Sequence, residues 1–65
     1  MIMAFVKVGD KIHKCKISKE THEILRDVAR IRNKTLSWFL AQVVLRRGKL
    51  TEENILGWLK EHRTP

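Results

Sequence analysis

Lys11-Ile12-His13-Lys14-Cys15-Lys16-Ile17 decides how this 65-residue chain is read. The stretch alternates, and a strand sends successive side chains to opposite faces. Ile12, Lys14 and Lys16 fall on one face; Lys11, His13, Cys15 and Ile17 fall on the other. The second row can enter a core at its Ile17 end. The first carries two lysines and must meet water or an anionic partner. Directly after the strand come two amphipathic helical stretches joined by a short polar turn.

Upstream, residues 1–8 have strand-like content in Ile2, Phe5, Val6 and Val8, followed by Gly9-Asp10. Three arrangements are open there: a hairpin with the Lys11–Ile17 strand, an arm that orders on binding, or a straight extension of the same strand. Downstream, Ser18 is a good N-cap, and Ile24, Leu25, Val28 and Ile31 recur at helical spacing. This predicts a first helix over residues 19–32. Asn33-Lys34-Thr35 breaks it, because Asn tolerates the left-handed conformation and Thr35 can cap the next helix.

The second helix is predicted over Leu36–Arg47. Its first ten residues, Leu-Ser-Trp-Phe-Leu-Ala-Gln-Val-Val-Leu, hold two polar side chains, Ser37 and Gln42. A helix apolar on nearly every side asks for burial on most sides. One further long helix in the same chain does not provide that, which points to an intertwined dimer. Gly48 stops the helix, and Thr51 caps a third over residues 52–62 whose apolar face is Ile55, Leu56, Trp58 and Leu59. Residues 63–65 are expected to fray.

Composition bounds the rest. A chain of this length sits near the lower limit for a self-sufficient core. Cys15 is the single cysteine, so no intrachain disulfide can staple it, and a reducing interior suits the composition. The chain is 43% hydrophobic, too apolar for a disordered segment. Fourteen Lys and Arg against seven Asp and Glu give a net charge of +7. Through Leu50 there are twelve basic and four acidic residues, a balance of +8; the remainder holds two and three, a balance of −1. A basic body with a near-neutral tail suggests a polyanion for the body alone. No signal-peptide core or membrane span is visible, so a soluble, cytoplasmic protein is expected.

Catalytic and metal chemistry find little support. No glycine-rich phosphate loop, nucleophile motif or paired carboxylates occur, so no enzyme and no cofactor are expected. His13, Cys15 and His22 lack the spacing of a metal site, and no metal is expected; Cys15 reads as a small buried residue. Trp38 and Trp58 read as packing anchors rather than stacking platforms.

The strand ending Lys-Ile-Ser, the first helix with Leu25 and Ala29, the turn Asn-Lys-Thr-Leu-Ser and the apolar second helix together resemble the ribbon-helix-helix DNA-binding proteins. That family includes small plasmid, phage and archaeal-virus repressors. The likeness covers about residues 12–47. The family usually has Gly at the turn, where this chain has Asn33, and a Ser/Thr-x-Ser-like start to the second helix, matched by Thr35 and Ser37. Trp38 stands where an acidic residue often completes the cap, and the third helix is extra.

The resemblance implies a mainly α fold with one short β-strand per chain. Two copies would form an intertwined homodimer whose strands pair as a two-stranded antiparallel ribbon. Residues 1–10 would be an arm or extra strand, 11–48 the DNA-binding domain and 51–63 a C-terminal helix. Cys15, Ile17, Leu25, Val28, Leu36, Phe39, Leu40, Val43 and Val44 would form the shared dimer core. Ile12, Lys14 and Lys16 would face the major groove of double-stranded DNA, where lysines donate to guanine O6 and N7 and Ile12 meets a thymine methyl. Lys34, Thr35 and Ser37 would hold phosphate at the start of the second helix. The expected function is a sequence-specific transcriptional repressor of a prokaryotic cell, plasmid or virus, with higher-order assembly on DNA open. The alternatives are an antitoxin-like or adaptor protein docking a partner through Ile55, Leu56, Trp58 and Leu59, and a non-specific nucleic-acid binder. A solvated lysine face with no ligand is the plainest reading of the same strand.

Overall fold

The computed structural model describes residues 1–63; of the three residues expected to fray, Arg63 is instead the last residue of the third helix, and Thr64 and Pro65 lie outside the described residues. Strands β1 (Ile2–Val8) and β2 (Lys11–Ile17) are followed by helices α1 (Lys19–Ile31), α2 (Leu36–Arg47) and α3 (Glu52–Arg63). The two strands pair antiparallel in a single two-stranded sheet, with Val8 opposite Lys11 and Ile2 opposite Ile17.

Of the three arrangements open for the N-terminal stretch, the hairpin is the one that forms. Gly9 takes φ +63° while Asp10 keeps a negative φ. Glycine at the first central position is the requirement of a II′ turn, whose twist matches that of the flanking strands. The chain therefore carries two strands rather than the single strand expected. An antiparallel ribbon is made within one chain, with β1 pairing along one edge of β2.

All three helix starts use the expected caps. The Oγ of Ser18 accepts from the Thr21 N–H at 3.2 Å, Thr35 Oγ1 from Trp38 at 3.0 Å, and Thr51 Oγ1 from Asn54 at 3.1 Å. Helix α1 ends at Asn33, which takes φ +57°. The Lys34 N–H reaches back to the Ala29 carbonyl at 2.8 Å and the Asn33 N–H to Arg30 at 3.1 Å, a Schellman closure. Gly48, at φ +84°, ends α2 in the same left-handed region.

The inward face of the hairpin rests on the helices, β1 against α2 and β2 against α3, and α1 packs on both other helices. Ala4, Val6, Ile17, Leu25, Val28, Phe39, Leu40, Val43, Val44, Leu50, Ile55, Trp58 and Leu59 are buried in one core. Seven of the nine residues expected in a dimer core lie in it, and Cys15 and Leu36 are partly buried against it. The single chain thus encloses its own core, because β1 supplies the covering surface that two helices lack. What α2 leaves uncovered is narrow: Trp38 is 39% exposed and Leu45 is 64% exposed. The C-terminal helix also turns inward. Ile55, Trp58 and Leu59 are buried on their own chain, and Leu56 alone of that face remains exposed.

Glu52, the first residue of α3, ties this helix to the start of α1. Its Oε2 accepts from the Ser18 N–H at 2.7 Å and from the hydroxyl of buried Thr21 at 2.8 Å. In a capping box the N-cap amide is taken by a carboxylate three residues on. Here that position is Thr21, and the carboxylate arrives from another helix. The Ser18 N–H, and then the Thr21 hydroxyl, hold the Glu52 carboxyl below the usual carboxylate range.

The packing of α3 can be tested by substitution and by pH. Leu59→Ala lowers unfolding free energy by about 2–5 kcal/mol in urea denaturation, whereas Leu56→Ala costs under about 1 kcal/mol. Because the Glu52 pKa is lowered in the folded state, its contribution is complete above the unfolded value of about 4.3 and is lost as pH falls through the folded one. The melting temperature of the native chain therefore drops more steeply on acidification below about pH 4 than that of Glu52→Gln, measured by circular dichroism.

Candidate nucleic-acid interface

The alternation in Lys11–Ile17 has the predicted sidedness. Along the inward row, Lys11 is exposed, His13 and Cys15 are half-buried, and Ile17 is fully buried. Ile12, Lys14 and Lys16 all lie on the opposite, exposed face. Since Ile12 is 62% exposed, the face is open to a partner over its whole length.

Pairing with β1 doubles that face. The outward cross-strand pairs are Met3 with Lys16, Phe5 with Lys14, and Lys7 with Ile12. All six side chains are exposed. Each pair couples one lysine with one apolar residue, so no two lysines stand directly opposite each other, an arrangement that would be destabilising. The β1 half of the face is absent from the sequence reading. Its signal is Gly9-Asp10: a two-residue turn places Val8 opposite Lys11 and thereby sets every other pair.

Beside β1 lies the start of α2. A groove of about 260 Å³ runs between Met3, Ala4 and Phe5 on one side and Leu36, Ser37 and Leu40 on the other. The structure thus brings Ser37 next to the outward ribbon residues at its β1 edge. Thr35 and Ser37 are exposed, and Lys34 sits with its Nζ 5.0 Å from the centre of the Trp38 ring. Thr35 Oγ1 is engaged as the cap of α2. The amides of the first helical turn carry the partial positive charge of the helix end, so an anion placed there meets N–H donors and a nearby ammonium. No acidic side chain stands in the first turn of α2, which leaves that field uncompensated.

Among the described residues Arg47 is paired with Glu61 and Arg30 with Asp27, while Lys7, Lys14 and Lys16, like most of the other basic side chains, form no ion pair. Among those residues no three His, Cys, Asp or Glu side chains gather as metal ligands. No helix among them is long and apolar enough to cross a membrane. Trp58 is buried, its ring tilted over His62 with centroids 3.9 Å apart, while Trp38 meets Phe39 edge to face at 5.1 Å. Trp58 is thus a core residue, while Trp38 remains exposed at the surface. No family model, curated protein or solved structure matches the chain.

Cys15 lies on the inward row, where burial, and secondarily the charge of Glu52, pushes its thiol above the usual range. A thiol reacts as its thiolate. Alkylation of the folded protein by iodoacetamide at pH 8 should run slower than that of a free cysteine peptide, and match it once the chain is unfolded in urea.

Proposed function

We propose that the protein binds double-stranded DNA through the outward face of its hairpin and acts as a transcriptional repressor. The observation that carries this reading is the row of unpaired lysines, Lys7, Lys14 and Lys16, on one exposed ribbon face with the α2 N-terminus at its edge. Two strands about 4.8 Å apart make a ribbon narrow enough for a major groove about 12 Å wide. Lysines on that face donate to guanine O6 and N7 or to phosphate. A lysine fixes geometry less tightly than an arginine, so a large phosphate component accompanies base reading. Lys34, Thr35 and Ser37 then hold the backbone beside the groove. The resemblance to ribbon-helix-helix repressors supports the same docking, with a hairpin of one chain in place of a ribbon shared by two.

A second copy belongs to this reading. Trp38 and Leu45, left exposed by α2, supply an apolar surface for self-association, and two copies on one operator give half-sites with two-fold symmetry. The protein would work in the cytoplasm of its cell, where the DNA is.

The test is a fluorescence-anisotropy titration of a duplex taken from upstream of the protein's own gene, with random duplex as competitor. Preferential binding is expected, with log affinity falling linearly against log salt. Each change of Lys7, Lys14 or Lys16 to Ala should reduce that slope by roughly 0.9 if the lysine contacts phosphate. Full affinity in the triple variant would refute the ribbon as the binding face. Equal affinity for both duplexes would leave a non-specific binder.

A further inference from the structure

The hairpin places its largest apolar side chain on the wrong side for a core. On β1, the inward positions hold Ile2, Ala4, Val6 and Val8, while Phe5 faces out at 64% exposure. Met3 and Ile12 share that face. Phe5 and Ile12 both leave most of their apolar surface in water, burial that the free chain forgoes. Phe5 stands directly opposite Lys14, and Ile12 directly opposite Lys7. Among these four residues apolar and basic side chains alternate as a checkerboard, with Met3 and Lys16 extending the apolar and basic sides beyond it, and a partner must offer apolar points inside an anionic frame.

Resting on the DNA-binding reading, we propose that Phe5, together with Ile12, selects thymine in the major groove through its C5-methyl group. Thymine alone among the four bases presents a methyl there, flanked by hydrogen-bond acceptors and by phosphates. The apolar members of the checkerboard take the methyl groups, and the lysines between them take the acceptors and the backbone. Phe5 and Ile12 are diagonal neighbours across the ribbon, so their side chains start about 7–8 Å apart. That is about two base-pair steps of 3.4 Å, which sets the thymines two steps apart. The strand β1 is then a reading strand equal to β2, and Phe5 is its specificity-determining residue.

The experiment compares poly(dA-dT) with poly(dA-dU) as competitors for a labelled random duplex at fixed salt. The two polymers carry the same phosphates and base-pair hydrogen-bonding groups and differ in the methyl. Wild-type protein should bind the methylated polymer more tightly by about fourfold per methyl contact, the factor from burying one methyl-sized group. Phe5→Ala should lose most of that preference, the ratio of its affinities for the two polymers falling towards one. Phe5→Leu should retain it in part. Phe5 lies outside the core, so neither change unfolds the chain, as circular dichroism would verify.

Equal binding of the two polymers by wild type would overturn thymine selection and leave DNA binding standing. So would binding of the random duplex with neither A·T polymer competing. Failure to bind any duplex would overturn both. Tighter binding of single-stranded poly(dT) than of poly(dA-dT) would make Phe5 a stacking platform and overturn the proposal as well.

Discussion

The antiparallel register of the hairpin is the constraint on which everything else depends. A two-residue turn at Gly9-Asp10 sets Val8 opposite Lys11, and the period of two then sorts fourteen strand residues into two rows. One row is Ile2, Ala4, Val6 and Val8 with Lys11, His13, Cys15 and Ile17, which closes the top of the helices from its Ile17 end. The other is Met3, Phe5 and Lys7 with Ile12, Lys14 and Lys16, which meets solvent. A slip of one residue would put lysines into the core, so the packing requirement and the binding face enforce each other.

The helices complete that constraint rather than compete with it. Helix α2 is apolar on nearly all sides because it is pressed by β1, α1 and α3 at once. Helix α3 makes the small core sufficient by burying Ile55, Trp58 and Leu59, and Glu52 locks it to the junction where the ribbon becomes helix. Ser18 and Thr21 sit at that junction, directly after Ile17. The same carboxylate that caps α1 therefore also fixes where β2 ends, which ties the geometry of the reading face to the packing of the C-terminal helix.

Much of this is legible in the chain. The alternation around Lys14, the caps Ser18, Thr35 and Thr51, the left-handed Asn33 and the stop at Gly48 are local signals, and each is settled by the chemistry of a few neighbouring residues. Two features are not legible, for non-local reasons. The hairpin competes with an arm and an extension, since residues 1–8 alone do not say what they pair with. Without it, the apolar α2 calls for a second chain; with it, seven of the nine residues expected in a dimer core are already buried within one chain. Glu52 reads as an acidic first-turn residue of α3, which it is, but its partners lie more than thirty positions away in sequence. Phe5 reads only as strand content, because its outward direction comes from the register.

The most direct test of the binding face is a two-dimensional NMR titration of isotopically labelled protein with a short duplex that it binds. The largest amide and side-chain shifts are expected at Met3, Phe5, Lys7, Ile12, Lys14 and Lys16, with a second group at Lys34, Thr35 and Ser37. Helix α3, which lies under the opposite face of the sheet, should stay still. Shifts centred on α3 or on Leu45, with the hairpin resonances unmoved, would contradict the ribbon as the binding face.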